Sequence, residues 1–196
     1  MSTPQSPLFE STHAALTFAF HFSGQNYQRP VMNRMVKNEP SGKGLGGLDG
    51  AAQAGMIRAE VSALGRIAEA VITARYAPAT LDCSCRAPCC CRHKPNPEWR
   101  NAIATIADHM RTTALAGCTT TALMRRDYVI RYFSGHPSID ALSARHGLHR
   151  DSVSAHVAKV SRALYTKKGG GLENEAFSAV DARMKACGMV NDLTYT

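Results

Sequence analysis

The sequence has no long apolar run and no segment that resembles a leader. No stretch of its 196 residues approaches the roughly 18 consecutive apolar residues that a transmembrane helix needs. The N-terminus lacks a basic segment followed by an apolar one, as a secretory signal would have. Because 44% of the residues are hydrophobic, the chain can still bury a core. We therefore expect a folded cytoplasmic protein with no membrane partner.

The sequence also lacks the motifs of nucleotide-dependent and metal-dependent catalysis. Gly42 and Lys43 lie in a glycine-rich stretch, but Gly44 stands where the Walker pattern has Ser or Thr. The sequence has no HExxH or HxE pattern beside its cysteines, and no clustered carboxylates that would hold a catalytic metal. We therefore predict that the protein is not an enzyme.

Acidic residues are few in comparison with basic ones. The chain has 23 Lys and Arg against 15 Asp and Glu, a formal net charge of +8 at pH 7. Residues 119–171 hold nine Lys and Arg against three Asp, and so carry most of that charge. An excess of positive charge favours an anionic partner, most simply nucleic acid.

Cysteines, in contrast, are concentrated in one short segment. Five of the seven fall within residues 83–93, together with a histidine. Thiols stay reduced in a cytoplasm, so metal binding is favoured over disulfides. Zinc prefers four thiolate or imidazole ligands, and a loop turned by Pro88 could supply them. Free or oxidised thiols are the alternative. The six candidate ligands for a structural zinc ion are Cys83, Cys85, Cys89, Cys90, Cys91 and His93.

The periodicity of the first half predicts a mainly α fold. Residues 1–47 are rich in Ser, Pro, Gly and Asn and are predicted to be flexible or irregular. Within them, Ala14 to Phe22 alternates as a short strand or apolar anchor would. A single long helix is predicted from Gly50 to about Tyr76, capped by Asp49 and stopped by Pro78.

The next helix is predicted to begin at Pro97, after Asn96 as its cap. Its buried stripe would include Trp99 and Met110. The Cys-rich loop, residues 83–93, would then connect two helices within a region that spans 48–118.

Residues 119–166 are predicted to form a helix-turn-helix. One helix, with an inner face of Tyr128, Val129, Tyr132 and Phe133, would end at Gly135. Ser138 would cap a short helix and Gly147 would end it. A longer helix would then begin near His149, because apolar residues recur there at steps of four, three and four. Those residues are Val153, Val157, Val160 and Leu164.

The longer helix would be the DNA-reading element. In a helix-turn-helix, the second helix lies in the major groove, and its N-terminal residues and outer face contact the DNA. Basic and small polar side chains at those positions could bind bases or phosphates. The candidates are Arg145, His149, Arg150, Ser152, Ser154, His156, Lys159 and Arg162.

The C-terminal part is predicted to be a linker followed by a helix. Residues 167–171 would form a flexible basic linker. The region 172–190 would hold an amphipathic helix from Glu173 to Cys187, with Gly188 as its C-cap. The predicted architecture is thus a helical bundle with a C-terminal helix-turn-helix and a Cys-rich zinc-binding loop.

The stretch from about Arg126 to Leu164 resembles the helix-turn-helix of sigma-factor region 4 and of related phage regulators. Together with the cysteine loop, the long preceding helix and the small basic chain, it resembles the Q family of late-gene antitermination proteins of lambdoid phages and prophages. The residues that match are Ile139, Leu142, Gly147, Leu148, Val153 and Val157, with Cys83, Cys85, Cys89 and Cys90 as a looser parallel.

This resemblance implies a function in transcription. The protein would bind double-stranded DNA near a late promoter, in the nucleoid of a bacterial host, and would act on RNA polymerase and sigma factor so that terminators are read through. A different class of function stays open. The protein could be a helical adaptor between proteins, with a structural zinc site and only nonspecific affinity for nucleic acid. Sequence-specific duplex binding would separate the two.

Overall fold

The computed structural model describes residues 8–26, 47–83, 85, 91–167 and 169–190. Among them the protein is mainly helical, as predicted, with little strand. Two short strands among these residues form an antiparallel ribbon. The elements in chain order are α1 (Thr12–Asn26), α2 (Gly47–Ser62), α3 (Arg66–Tyr76), β1 (Thr80–Asp82), β2 (His93–Pro95), α4 (Pro97–Thr112), α5 (Ala122–Ser134), α6 (Ile139–His146), α7 (Arg150–Leu164) and α8 (Leu172–Ala186).

The chain divides into two compact units. The first contains the described residues of Met1–Leu64, Tyr76–Asn96 and Ser178–Thr196. The second contains Gly65–Arg75 and the described residues of Pro97–Phe177. The predicted helix-turn-helix region therefore falls entirely within the second unit.

In the first unit, α1 packs against α2. The Arg58 guanidinium donates to the carbonyl of Ala19 at 3.1 Å and lies over the Phe20 ring. The second half of α8 belongs to the same unit and is tied to α2, where Arg183 pairs with Glu60 at 2.7 Å.

The helix α1 contains Ala14 to Phe22, for which the sequence predicted a short strand or an apolar anchor. Its buried apolar residues, Ala15, Leu16, Ala19 and Phe20, follow a helical spacing and form one face. The period of two residues suggested by the aromatic side chains was therefore wrong, because the buried residues follow the helical period. A helix thus occupies part of the region that was predicted to be irregular.

The single helix predicted from Gly50 to Tyr76 is also wrong. The helix α2 ends at Ser62, and Gly65 adopts a left-handed backbone with φ of +90° before α3 begins. The amide of Glu69 bonds the Gly65 carbonyl at 3.0 Å, which starts the new helix. The apolar steps continue across the break, so periodicity could not reveal it. Asp49 lies inside the first turn of α2 and is not its cap.

In the second unit, α4 begins at Pro97 as predicted. Its stripe of Ile103, Ile106 and Met110 is buried. Trp99 is only half-buried, and its indole N–H donates to the carbonyl of Ala74 at 3.1 Å. The helix α4 packs against α5, and α5 in turn packs against α7.

The described residues of the predicted flexible linker take part in a hydrogen-bonded turn after α7, while Lys168 lies outside the described residues. The amide of Thr166 donates to the carbonyl of Gly170 at 3.0 Å. The Asn174 side chain donates to the same carbonyl and to that of Thr166, both at 2.9 Å. At Gly171, a Cβ atom would lie 2.7 Å from the carbonyl oxygen of Leu164. These hydrogen bonds hold the backbone that follows α7 in one conformation.

The predicted C-terminal helix is confirmed as α8. Ala176, Val180 and Met184 are buried at helical spacing, and Phe177 is half-buried. Gly188 has a left-handed backbone, and its N–H bonds the Lys185 carbonyl at 2.9 Å. Among the described residues, no helix has the length and apolar character to cross a membrane.

Candidate nucleic-acid interface

The boundaries of α6 and α7 follow from local capping chemistry, as predicted. The Ser138 side chain accepts from the amide of Ala141 at 3.2 Å and begins α6. Gly147 ends it in a left-handed conformation with φ of +62°. The ring of His149 accepts from the amide of Asp151 and caps α7. Only residues 147–149 therefore separate the two helices.

The apolar side of this helix pair is buried. Leu142 of α6 and Val153, Val160 and Leu164 of α7 are fully buried, whereas Val157 is half-buried. Burying such side chains contributes about 1.5–3 kcal/mol each, so α7 has a well-defined inner face. Its opposite face is consequently well defined too.

The predicted inner face of α5 is only partly buried. Tyr128 and Val129 are fully buried, but Tyr132 and Phe133 are half-buried. Both rings contact the Arg75 guanidinium, which pairs with Glu173 at 2.5 Å. The hydrogen bond to Glu173, and the charge of that residue, raise the pKa of Arg75 although burial opposes the shift.

A buried carboxylate ties α6 to α5. Asp127 of α5 is 5% exposed, and its Oδ2 accepts from Arg145 Nη1 at 3.0 Å and from His146 Nε2 at 2.9 Å. Arg145 was predicted to contact DNA. It is engaged by Asp127, although about half of its side chain is exposed. The sequence pattern gave no sign that Asp127 would be the partner.

His156 does not lie on the outer face of α7, where we predicted it. It follows Val153 by three positions and precedes Val160 by four, so it shares their buried stripe. Its Nδ1 lies 3.4 Å from the Tyr128 hydroxyl, and the two rings are in contact. Burial, with a smaller contribution from Lys159, lowers the pKa of His156. Burial also raises the pKa of Tyr128, with a further contribution from Asp127.

The outer face of α7 is exposed over the whole helix. Six of the eight predicted contact residues lie at its start or along it with exposed side chains. The exposed fraction is 78% for the side chain of His149 and 66% for that of Arg150. The six residues are His149, Arg150, Ser152, Ser154, Lys159 and Arg162.

Neighbouring groups hold the cationic side chains of this face. Arg150 Nε lies 2.6 Å from Asp140 Oδ1 in α6. Lys159 Nζ lies 3.3 Å from Cys118 Sγ. Periodicity could not identify Asp140 or Cys118 as partners, because each is far from its partner along the chain. The helix α7 therefore has one buried apolar side and one exposed polar side.

The described residues of the cysteine segment lie at the end of the β1–β2 ribbon, which itself stands between two helices in the chain. The ribbon register continues past β1, where the Cys83 amide bonds the Arg92 carbonyl at 2.7 Å. Cys83 is half-buried, whereas Cys85, Cys91 and His93 are exposed. The candidate ligands Cys89 and Cys90 lie outside the described residues.

Among the described residues, no three His, Cys, Asp or Glu side chains are grouped closely enough to hold a metal ion. The Cys91 thiol instead donates to the carbonyl of His93 at 3.2 Å, and His93 Nδ1 lies 3.6 Å from Asp82. Zinc binding at this segment stays a prediction.

Comparisons with family models, with curated proteins and with solved structures give no match to this chain.

Proposed function

We propose that the protein is a DNA-binding transcription regulator of phage or prophage type, and that α6 and α7 form its helix-turn-helix. The observation that carries the proposal is the division of α7 into a buried apolar side and an exposed polar side that begins at the N-terminus of the helix. A reading helix needs both, because the buried side fixes its position and the exposed side contacts bases.

The dimensions of α7 suit a major groove. Fifteen residues make a helix of about 22 Å, and the groove, about 12 Å wide, admits an α-helix. Arg150 at the first position would bond the acceptors of a guanine. Ser152 and Ser154 would bond base edges or phosphates, and Lys159 would contact the phosphate backbone.

The rest of the second unit would keep α7 in register with the groove. Asp127 holds α6 through two charged hydrogen bonds, and Tyr128 of α5 lies against His156 of α7. Bonds to charged groups contribute about 1.5–3 kcal/mol each where they are buried. The reading helix would therefore rest on a rigid support, which precise base recognition requires.

We extend the proposal to antitermination, on the resemblance to the Q family. The protein would bind DNA near a late promoter and act on RNA polymerase and sigma factor there. The positive net charge and the exposed face of α7 support the DNA-binding part of this role.

Binding to a selected duplex tests the DNA-binding part. Fragments of the genome that carries the gene are selected on the purified protein, and affinity for the enriched duplex is compared with that for a scrambled one across a salt series. We expect a preference of at least about a thousandfold for the enriched duplex and a steep loss of affinity with salt. Equal, weak affinity for both duplexes would favour the protein adaptor.

A read-through assay then tests antitermination. Transcription from the recovered promoter across a downstream terminator is measured with and without the protein. We expect more full-length transcript with it. Binding without read-through would make the protein an ordinary repressor or activator.

We also propose that the cysteine loop binds one structural zinc ion. The ribbon register supports this, because it brings the two arms of the loop together at Cys83 and Arg92. Cys83 and Cys85 on one arm, and Cys91 and His93 on the other, would offer thiolate and imidazole ligands.

Native mass spectrometry tests the zinc proposal. Protein produced with zinc should carry one ion per chain, and a variant with Cys83→Ser and Cys85→Ser should lose it. The matched control is Cys118→Ser with Cys187→Ser, which changes two cysteines outside the loop and should keep the ion. An apo mass for the unaltered, reduced protein would refute zinc binding.

A further inference from the structure

Two exposed side chains of opposite charge meet at the N-terminus of α7. Asp140 is the second residue of α6, and Arg150 is the first residue of α7. Asp140 Oδ1 lies 2.6 Å from Arg150 Nε, although the side chains are 72% and 66% exposed. The pair therefore joins two helices at the point where α7 would enter the groove.

An exposed ion pair of this kind adds little to folding stability, because water screens both charges. Its position is more informative than its strength. Arginine reads guanine by donating two parallel hydrogen bonds to O6 and N7, which demands a fixed orientation of the guanidinium plane. The bond to Asp140 uses Nε, so the terminal nitrogens carry the donors that can face a base.

We propose that Asp140 is a positioning residue that orients Arg150 to read a guanine. The inference rests on the proposed DNA-binding function and adds to it the residue that orients the arginine at the first position of α7. By holding Nε, Asp140 reduces the number of orientations that Arg150 must give up when it binds, and so increases the discrimination between guanine and other bases.

The charge of Asp140 also argues against a phosphate as the target of Arg150. A carboxylate within hydrogen-bonding distance of the guanidinium would repel a phosphate that approached the same group. The acceptors of guanine carry no net charge, so they escape most of this repulsion. Asp151, also at this end of α7, adds a second carboxylate, and its Oδ2 lies 3.4 Å from His149 Nδ1.

Base selection with three variants tests the inference. A duplex is first selected with the unaltered protein, and Arg150→Ala identifies the position whose preference depends on Arg150. At that position, Asp140→Asn should lower the preference for guanine by about tenfold. Its affinity for a scrambled duplex should stay equal or rise, since a negative charge has been removed.

Two controls separate positioning from charge and from folding. Asp151→Asn removes the same charge from the same end of α7 and should keep the guanine preference. Asp140→Glu keeps a carboxylate and should recover part of it. The Tm of Asp140→Asn should stay within about 3 °C of the unaltered protein, because the pair is exposed.

Three results would overturn the inference. If Asp140→Asn raised affinity for every duplex while the guanine preference stayed intact, Asp140 would act only through its charge. If Arg150→Ala changed the preference at no position, Arg150 would not read a base. If the unaltered protein selected no sequence at all, the proposed function would fail too, which distinguishes the two failures.

Discussion

The region α5–α7 and the β1–β2 ribbon both contain residues that the sequence marks as candidates for function, but they hold them differently. In α5–α7 the candidate side chains extend from helices whose other sides are buried, and Asp127 and Tyr128 support them from within. At the end of the ribbon, the described candidates Cys85, Cys91 and His93 are exposed and Cys83 is half-buried.

The two regions differ in what fixes the positions of their candidate side chains. A helix that is buried on one side presents its other side in a fixed direction, so the geometry itself supports recognition. A cluster of cysteines depends on an added ion to bring its ligands into one geometry. Removal of a single polar side chain should therefore lower the free energy of unfolding much more in α5–α7 than in the ribbon.

The largest expected difference is between two aspartates. Asp127→Ala should lower the free energy of unfolding by about 3 kcal/mol, because it removes a buried carboxylate with two partners, one of them the nearly buried ring of His146. Asp82→Ala in β1, where the side chain is 62% exposed, should cost less than about 0.5 kcal/mol. Urea unfolding followed by circular dichroism measures both, and equal losses would remove the distinction between the regions.

A pair of glycines gives the next largest effect. Gly171→Ala should cost about 2 kcal/mol or more, because the new Cβ would approach the Leu164 carbonyl to 2.7 Å at a left-handed position. Gly169→Ala, also left-handed but with open space around the Cβ, should cost about 1 kcal/mol. Thermal unfolding compares the two. If both alanines were harmless, the turn after α7 would behave as the flexible linker that the sequence predicted.

The smallest expected effect concerns pH. The pKa of His156 is lowered from 6.5 in the folded state, so its neutral form favours folding above pH 6.5. That contribution is lost as the pH falls through the lowered value, because the unfolded chain then binds the proton more readily. The Tm of the unaltered protein should thus fall more steeply on acidification than that of His156→Gln.

His21→Gln in α1 is the matched control for this measurement, since the side chain of His21 is exposed. Its Tm should follow that of the unaltered protein at every pH. Parallel curves for the unaltered protein and His156→Gln would show that the burial of His156 does not control its protonation.

The elements that sequence predicted well are those set by neighbouring residues. Capping rules located α6 and α7, because the caps contact residues only a few positions away in the chain. These caps are Ser138, Gly147 and His149. Gly65 was missed because the apolar steps continue on both sides of the break that it makes. Local chemistry was the stronger signal of the two.

The supports of the candidate site could not be predicted, because they join residues that are distant in the chain. Asp127 meets His146 only after α6 folds back on α5, and Arg150 meets Asp140 only after the turn closes. His156 was assigned to the wrong face because its polarity was given more weight than its spacing from Val153 and Val160. Residue type suggested the chemistry, but packing decided which side chains are available for it.

The most direct test of DNA binding by α7 compares the removal of two positive charges from each region. In α7 the variant is Arg150→Ala with Lys159→Ala. In the ribbon it is Arg92→Asn with Lys94→Ala, where asparagine suits the positive φ of position 92. Affinity for the selected duplex is measured by fluorescence anisotropy across a salt series.

We predict that the α7 variant loses about a hundredfold in affinity and binds with a shallower salt dependence, because a base contact and a phosphate contact are both removed. The ribbon variant should lose less than about threefold, the effect of net charge alone. Equal losses in the two variants, or unchanged affinity in the α7 variant, would contradict the assignment of α7 as the reading helix.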